Sequence, residues 1–290
     1  MEASFDIVTR IAERIDQLSL SEQKVARWIL ADLSVAGAAS IDTLAQEAGV
    51  SKASVTRFAK ALGCTDVREL KRRLTQAAAI GSRFLQPRPD DAPADSADVV
   101  YQDIVAMLQA NRALVNMDVV KRAAQAVRKA NMVYAFGMGG GSTVAADEAR
   151  FRLVRFGIPV STYQDAVLQR VVAATMDHRA VVLAFSVTGQ VPEMLTSVRI
   201  AREYGAQIIA ITALGSPLAR LADHLLPIQI METDFVFKPS SSRYAMLMML
   251  DILATEVAML EHTRAQELLR RIKYVLDTGR GGGDRQPLGD

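Results

Sequence analysis

The run IDTLAQEAGVSKASVTRFAKAL, residues 41–62, decides how the first third of this chain folds. Leu44 and Ala45 fall on one buried face of a helix spanning 41–48, and Gly49 then supplies a tight turn. Val50 fills the gap between two helices, and Ser51 is a good N-cap for the second. In that second helix Val55, Phe58 and Leu62 sit at i, i+3 and i+7, which makes one apolar face. Lys52, Ala53, Thr56, Arg57 and Lys60 are left on the other.

Two helices joined by so short a turn, with a basic outer face on the second, suit a recognition helix that enters the DNA major groove. Charge agrees: residues 50–76 hold seven bases (Lys52, Arg57, Lys60, Arg68, Lys71, Arg72, Arg73) against two acids (Asp66, Glu69). Such cations neutralise phosphates and release counterions. Arg57 is the candidate base reader, through a bidentate contact to guanine, with Ser54 and Lys60 on phosphates. Lys52, Ala53 and Thr56 complete the expected DNA-facing set.

Working outward, the flanking sequence is helical. Phe5, Val8, Ile11, Ala12, Ile15 and Leu18 form one stripe, and Val25, Trp28 and Ile29 another; Ser21 before Glu22 reads as a helix start. Residues 86–98, QPRPDDAPADSAD, carry three prolines and four aspartates without apolar period and read as a linker. The expected organisation is an all-α helix-turn-helix domain over 1–85, the linker, a second domain over 99–278, and a disordered tail, GRGGGDRQPLGD, over 279–290.

Past the linker the period changes. MVYAFG (132–137), IPVSTY (158–163), AVVLAFS (180–186), QIIAIT (207–212) and LLPIQI (225–230) are β-branched runs separated by helix-length segments. They predict an α/β three-layer sandwich around a five-stranded parallel sheet, closed by one long helix over about 241–276. The first strand runs into GMGGGST (137–143), where Gly139, Gly140, Gly141 and Ser142 could bring backbone amides to an anion at a helix start. The third runs into SVTGQVPE (186–193), offering Ser186, Thr188, Gly189, Gln190 and Glu193. Two such loops at the carboxyl ends of parallel strands mark the usual ligand crevice.

Alternatives stay open at this point. A glycine loop after a first strand also fits a dinucleotide site, which would use an acid such as Asp165 to hold ribose. A sugar-phosphate isomerase with an accessory helical domain would need a base at the crevice, Glu193 or Glu148; His178 and His224 precede their strands and lie at the wrong end. A regulator needs no catalytic residue, and an attached DNA reader makes one superfluous. The stripe Met246, Met248, Met249 reads as core or subunit interface. Tyr163 and Arg243 are weighed as further ligand contacts.

Composition narrows the class. Half the residues are hydrophobic and 23% are charged, as in a globular protein, and net charge is only +2. One cysteine, Cys64, excludes an internal disulfide and fits a reducing cytoplasm; three scattered histidines exclude a clustered zinc site, and no cofactor is implied. No apolar run approaches membrane-spanning length, and the N-terminus lacks the pattern of a secretory signal.

The motifs SEQKVARWIL, LAQEAGVSKASVTRFAKALG, FGMGGGSTVAADEARFRLVRFG, SVTGQVPEMLTSVRIAREYGAQIIAIT, SPLARLAD and SSSRYAMLMMLDIL together resemble the MurR/RpiR family of regulators. The resemblance implies a helix-turn-helix domain joined to a sugar isomerase (SIS) domain. It further implies operator DNA, a sugar phosphate or sugar acid phosphate as effector, and a homodimer or homotetramer. Three positions in the two loops depart from the family pattern. Gly141 stands where the family often has Ser, and in the second loop Thr188 and Val191 replace Ser and Thr.

Overall fold

The computed structural model describes residues 6–81, 95–233, 237–278 and 288. The chain divides into two compact units, Met1–Ala92 and Pro93–Asp290. Phe5 lies outside the described residues, as does residue 86–94 of the expected linker; the expected tail does too, apart from Leu288.

Among the described residues the first unit holds six α-helices: α1 (Ile7–Arg14), α2 (Leu20–Ala31), α3 (Leu33–Ala38), α4 (Ile41–Glu47), α5 (Lys52–Ala61) and α6 (Val67–Gly81). Short polar side chains set their starts. Asp6 accepts from Val8 N, Asp32 from Ser34 N and Val35 N, and Ser40 from Thr43 N, each satisfying an orphan amide of a first turn. The start of α2 belongs to Ser19, not Ser21: Ser19 and Glu22 form a reciprocal capping box. Ile7, Ile11, Val25, Ile29, Leu44, Val55, Phe58, Leu62, Leu70 and Leu74 form the dry centre. Ile7, one turn ahead of Ile11, takes the inward place, and Ala12 faces solvent.

The second unit opens with α7 (Ser96–Arg112) and α8 (Met117–Lys129), so residues 95–98 of the expected linker are the cap and first turn of α7. The alternation then runs β1 (Met132–Gly137), α9 (Gly140–Val154), β2 (Val160–Tyr163), α10 (Ala166–Ala173), β3 (Ala180–Ser186), α11 (Pro192–Glu203), β4 (Gln207–Ala213) and β5 (His224–Ile228). All five strands are parallel, in the order β2-β1-β3-β4-β5. Pro159 just before β2 and Pro227 in β5 sit at the two edges, where a missing N–H costs no central ladder bond. Every residue of β3 is buried, as a strand covered on both faces requires. One face packs on α7, α8, α9 and α12 (Ser242–Leu260), the other on α10 and α11.

The closing helix is two helices. It breaks at Glu261 (φ −133°, ψ 55°), and α13 (His262–Thr278) follows. No glycine or proline marks the break. Glu261 leaves the spiral and places its carboxylate on Arg128 of α8, with Arg264 beside it. Beyond it only Ala265 of α13 is buried, whereas α12 buries Ala245, Met246, Met249, Leu250 and Leu253.

Candidate DNA-reading helix and ligand crevice

In the first unit Gly49 takes φ 63°, and Val50 N donates to Ala45 O (2.8 Å), which closes α4 against α5. Ser51 caps α5 by accepting from Ser54 N (3.2 Å). Val55, Phe58 and Leu62 face the core, while Lys52, Ala53, Arg57 and Lys60 are exposed and Thr56 is half-buried. Ser54 differs from expectation. It is only 5% exposed, its hydroxyl lies 3.0 Å from Ser51 Oγ, and it accepts from Arg57 Nη2 at 3.0 Å. It therefore orients Arg57 and is not displayed to a phosphate. Thr56 Oγ1 donates to Lys52 O (3.1 Å), and Lys52 pairs with Asp42 of α4.

The positive surface is accordingly smaller than the sequence suggests. Arg73 and, more loosely, Arg72 turn to Glu69, at 2.7 Å and 3.9 Å. Hydrogen bonds from the Thr65 backbone and hydroxyl and from Arg73 hold the Glu69 carboxyl down to about 2. Arg57, Lys60, Arg68 and Lys71 have no acidic partner among the described residues, and these carry the free positive charge. At the other end of α5, Arg10 Nη1 donates to Leu62 O (3.1 Å) and Arg14 Nη1 to Ala61 O (2.7 Å). Two guanidinium groups of α1 thus clamp the negative pole of α5. Nothing in the local sequence of α5 signals this.

In the second unit the strand order reverses direction between β1 and β3. The chain leaves β1 through α9 on one face and β3 through α11 on the other, so a crevice opens between their carboxyl ends. Both glycine- and hydroxyl-rich loops arise there. Gly137 lets the chain double back, since a Cβ there would run into the Ser142 carbonyl. Gly139 (φ 73°) is the cap, so Gly140, Gly141 and Ser142 form the first turn of α9 and not a loop before it; no side chain caps that turn. Ser142, one place beyond Gly141, is buried, so its hydroxyl is not presented at the surface. A Cβ at Gly141 would stand 3.1 Å from Arg243 Cβ, so the absent serine makes room for the start of α12.

The second loop is braced. Ser186 Oγ, buried, accepts from Gly189 N (3.1 Å), and Thr188 Oγ1, exposed, accepts from Gln190 N (3.4 Å). Gly189 has φ 63° and presses on Thr212 and Ser216, while its carbonyl accepts from Leu218 N (3.1 Å). Thr212 and Ser216 went unnoticed in the sequence because only the strand pairing brings them under this loop. α11 opens at Pro192 with no side-chain cap, leaving Gln190 and Glu193 exposed beside its positive end. The structure thus places two uncapped helix N-termini at adjacent strand ends, a natural cradle for an anion.

The other candidates are accounted for. Asp165 caps α10 by accepting from Leu168 N (2.8 Å), so its carboxylate is committed. Glu148 pairs with Arg152 (2.6 Å), and Arg152 also meets Asp251 (3.3 Å). Tyr163 stacks on Tyr134 and meets Phe136 edge-on. His224 opens β5 at its amino end; burial pushes its pKa down. Met246 and Met249 are core, and Met248 is half-buried. Among the described residues no three His, Cys, Asp or Glu side chains gather to hold a metal, and no helix is long and apolar enough to cross a membrane.

A helix-turn-helix unit and a parallel-sheet unit with a crevice at its switch point on one chain are the architecture of a class of transcription regulators. Residues 5–81 match the helix-turn-helix domain of the rpiR family, and residues 126–256 match the SIS domain. The chain is 34% identical over 273 residues to the HTH-type transcriptional regulator HexR of Pseudomonas aeruginosa, covering 93% of this chain and 95% of that one. Against HexR of Escherichia coli it is 30% identical over 277 residues, covering 95% and 96%. The chain belongs to this family of helix-turn-helix, SIS-domain transcription regulators. The same fold appears in the Vibrio vulnificus NanR protein complexed with ManNAc-6P, at TM-score 0.61 and 19% identity, covering 95% of this chain and all of that one.

Proposed function

We propose that this regulator grips operator DNA through the exposed face of α5 and that an anionic metabolite bound at the β1/β3 crevice sets its affinity. One observation carries the ligand class: the amino ends of α9 and α11, both without side-chain caps, open at neighbouring strand ends where the sheet order reverses. A phosphorylated sugar or sugar acid fits, with its phosphate on backbone amides and its hydroxyls on Thr188 and Gln190. That NanR was solved with ManNAc-6P supports the class. Arg57 reads a base edge, Lys60, Arg68 and Lys71 hold phosphates, and Lys52, Ala53 and Thr56 line the contact. The chain works in the cytoplasm as a homodimer or homotetramer, so that two heads meet two half-sites.

The test is a gel-shift titration with DNA from upstream of the protein's own gene. Binding is expected to weaken steeply with salt. Arg57→Ala should cost roughly 1–3 kcal/mol at one operator position and relax specificity there. Unchanged affinity and specificity in Arg57→Ala would remove Arg57 as the reader. A phosphosugar panel that leaves both the melting temperature and the DNA affinity untouched would remove the ligand class.

A further inference from the structure

We infer that the first turn of α12 forms a second oxyanion subsite, in which Arg243 and the hydroxyls of Ser241 and Ser242 take an anionic group of the effector. The inference rests on the anion-sensing crevice proposed above and adds to it residues that neither loop contains.

Four observations converge. The starts of α12 and α9 are in contact, since a Cβ on Gly141 would lie 3.1 Å from Arg243 Cβ and 3.8 Å from its Cα. Two positive helix poles therefore lie side by side, an arrangement that an anion relieves. Arg243 adds a full positive charge to that junction, is only half exposed, and forms no ion pair with any described acid. Its Nη1 donates to Ser240 O (2.9 Å), its Nη2 to Tyr244 Oη (3.1 Å), and its guanidinium stacks 4.6 Å from the Tyr244 ring. The nearby carboxylate of Glu232 accepts instead from Ser240 Oγ (2.6 Å).

The fourth observation is the most telling. Ser241 and Ser242 are 1% and 0% exposed, and neither hydroxyl has a hydrogen-bond partner. Ser241 holds the cap position of α12 without capping it; Ser242 N is served by Ser240 Oγ (3.3 Å). A dry, unpaired hydroxyl is a cost that folding alone does not explain. Arg243 spans this turn back to Ser240. When its guanidinium swings from the Ser240 carbonyl to an incoming oxyanion, the turn is uncovered and both hydroxyls gain an acceptor. Phosphate and carboxylate oxygens present the same chemistry to this group of donors.

The experiment measures the binding of inorganic phosphate, glucose 6-phosphate and gluconate to the full chain by thermal shift and calorimetry. Proteins compared are the wild type, Arg243→Gln, Arg243→Lys, Ser242→Ala and the second-loop variant Thr188→Val. Arg243→Gln is expected to weaken at least one phosphate- or carboxylate-bearing probe by about tenfold or more, and Arg243→Lys less. Ser242→Ala should weaken the same probe while leaving the unliganded melting temperature unchanged or higher, because it deletes an unsatisfied group. The probe that suffers identifies which oxyanion sits there. Wild-type affinity for all three probes in Arg243→Gln and Ser242→Ala, with loss in Thr188→Val, would overturn the subsite and leave the crevice standing. Failure of every probe to bind the wild type would overturn both.

Discussion

Gly189 shows how much one residue carries in the crevice. Its backbone sits at φ 63°, and a Cβ there would collide with the side chains of Ser216 and Thr212. Strain and overpacking add, so Gly189→Ala is expected to destabilise the second unit by about 2–4 kcal/mol. Urea denaturation read through tyrosine circular dichroism measures this, and a loss under about 0.5 kcal/mol would mean the loop relaxes freely. Gly141 is the opposite case. There the space a serine would need is taken by the Cβ and Cα of Arg243, so a hydroxyl missing from the family pattern coincides with the start of α12 drawn close. Ser54 makes the same point in the DNA-reading helix, where its hydroxyl steadies Arg57 from a buried position.

At the scale of elements, α5 depends on α1. Arg10 and Arg14 reach carbonyls 52 and 47 residues away, and Gly63 (φ 79°) leaves room for Arg10 where a Cβ would stand 2.8 Å from its Nη1. Arg10→Met is expected to lower the stability of the first unit by about 1–2 kcal/mol and to weaken DNA binding although no DNA contact is removed. Trp28 fluorescence in urea and a parallel gel shift test this; an unaltered midpoint would show the clamp to be idle. The parts legible in the sequence were those written in local pattern. The apolar faces of α4 and α5, the Gly49 turn, the Ser51 cap and the buried runs of β1, β3 and β4 are all short-range signals. The illegible parts depend on distant partners. Glu261 ends α12 by pairing with Arg128, and Asn111 anchors α7 by bonding both N and O of Gln229, 118 residues on. In the crevice, both loops and their glycines could be found from sequence. The bracing by Thr212 and Ser216 could not, because β4 and the turn after it deliver those residues from far along the chain; Arg243 could be weighed as a contact, but its packing against Gly141 could not be read.

At the scale of the whole molecule, the two units respond differently to acid. In the first, Glu69 is held down to about 2, chiefly by the Thr65 hydrogen bonds. A carboxylate with a depressed folded pKa lends stability above its unfolded value, and that stability drains as pH falls from about 4.5 towards 2. The second unit has comparable carboxylates: Glu267 is held to about 2 by Arg270 and Arg271, and Glu261 is lowered by Arg128. It also has His224, whose pKa burial depresses. A lowered histidine favours the folded state while neutral, so its contribution is complete above about 6.5 and erodes as pH falls below that value. The second unit therefore starts to weaken at mildly acidic pH, and the first holds until well below 5. The molecule supplies separate reporters: its one tryptophan, Trp28, lies in the first unit, and all six tyrosines lie beyond residue 95. Between pH 7 and 5 the tyrosine-detected melting temperature is expected to fall while the tryptophan-detected one stays level. His224→Gln should flatten the tyrosine curve over that interval and leave the steep loss below pH 4.5 in both signals. A tyrosine signal that holds level to pH 5 in the wild type would show that His224 is not the group that first feels the acid.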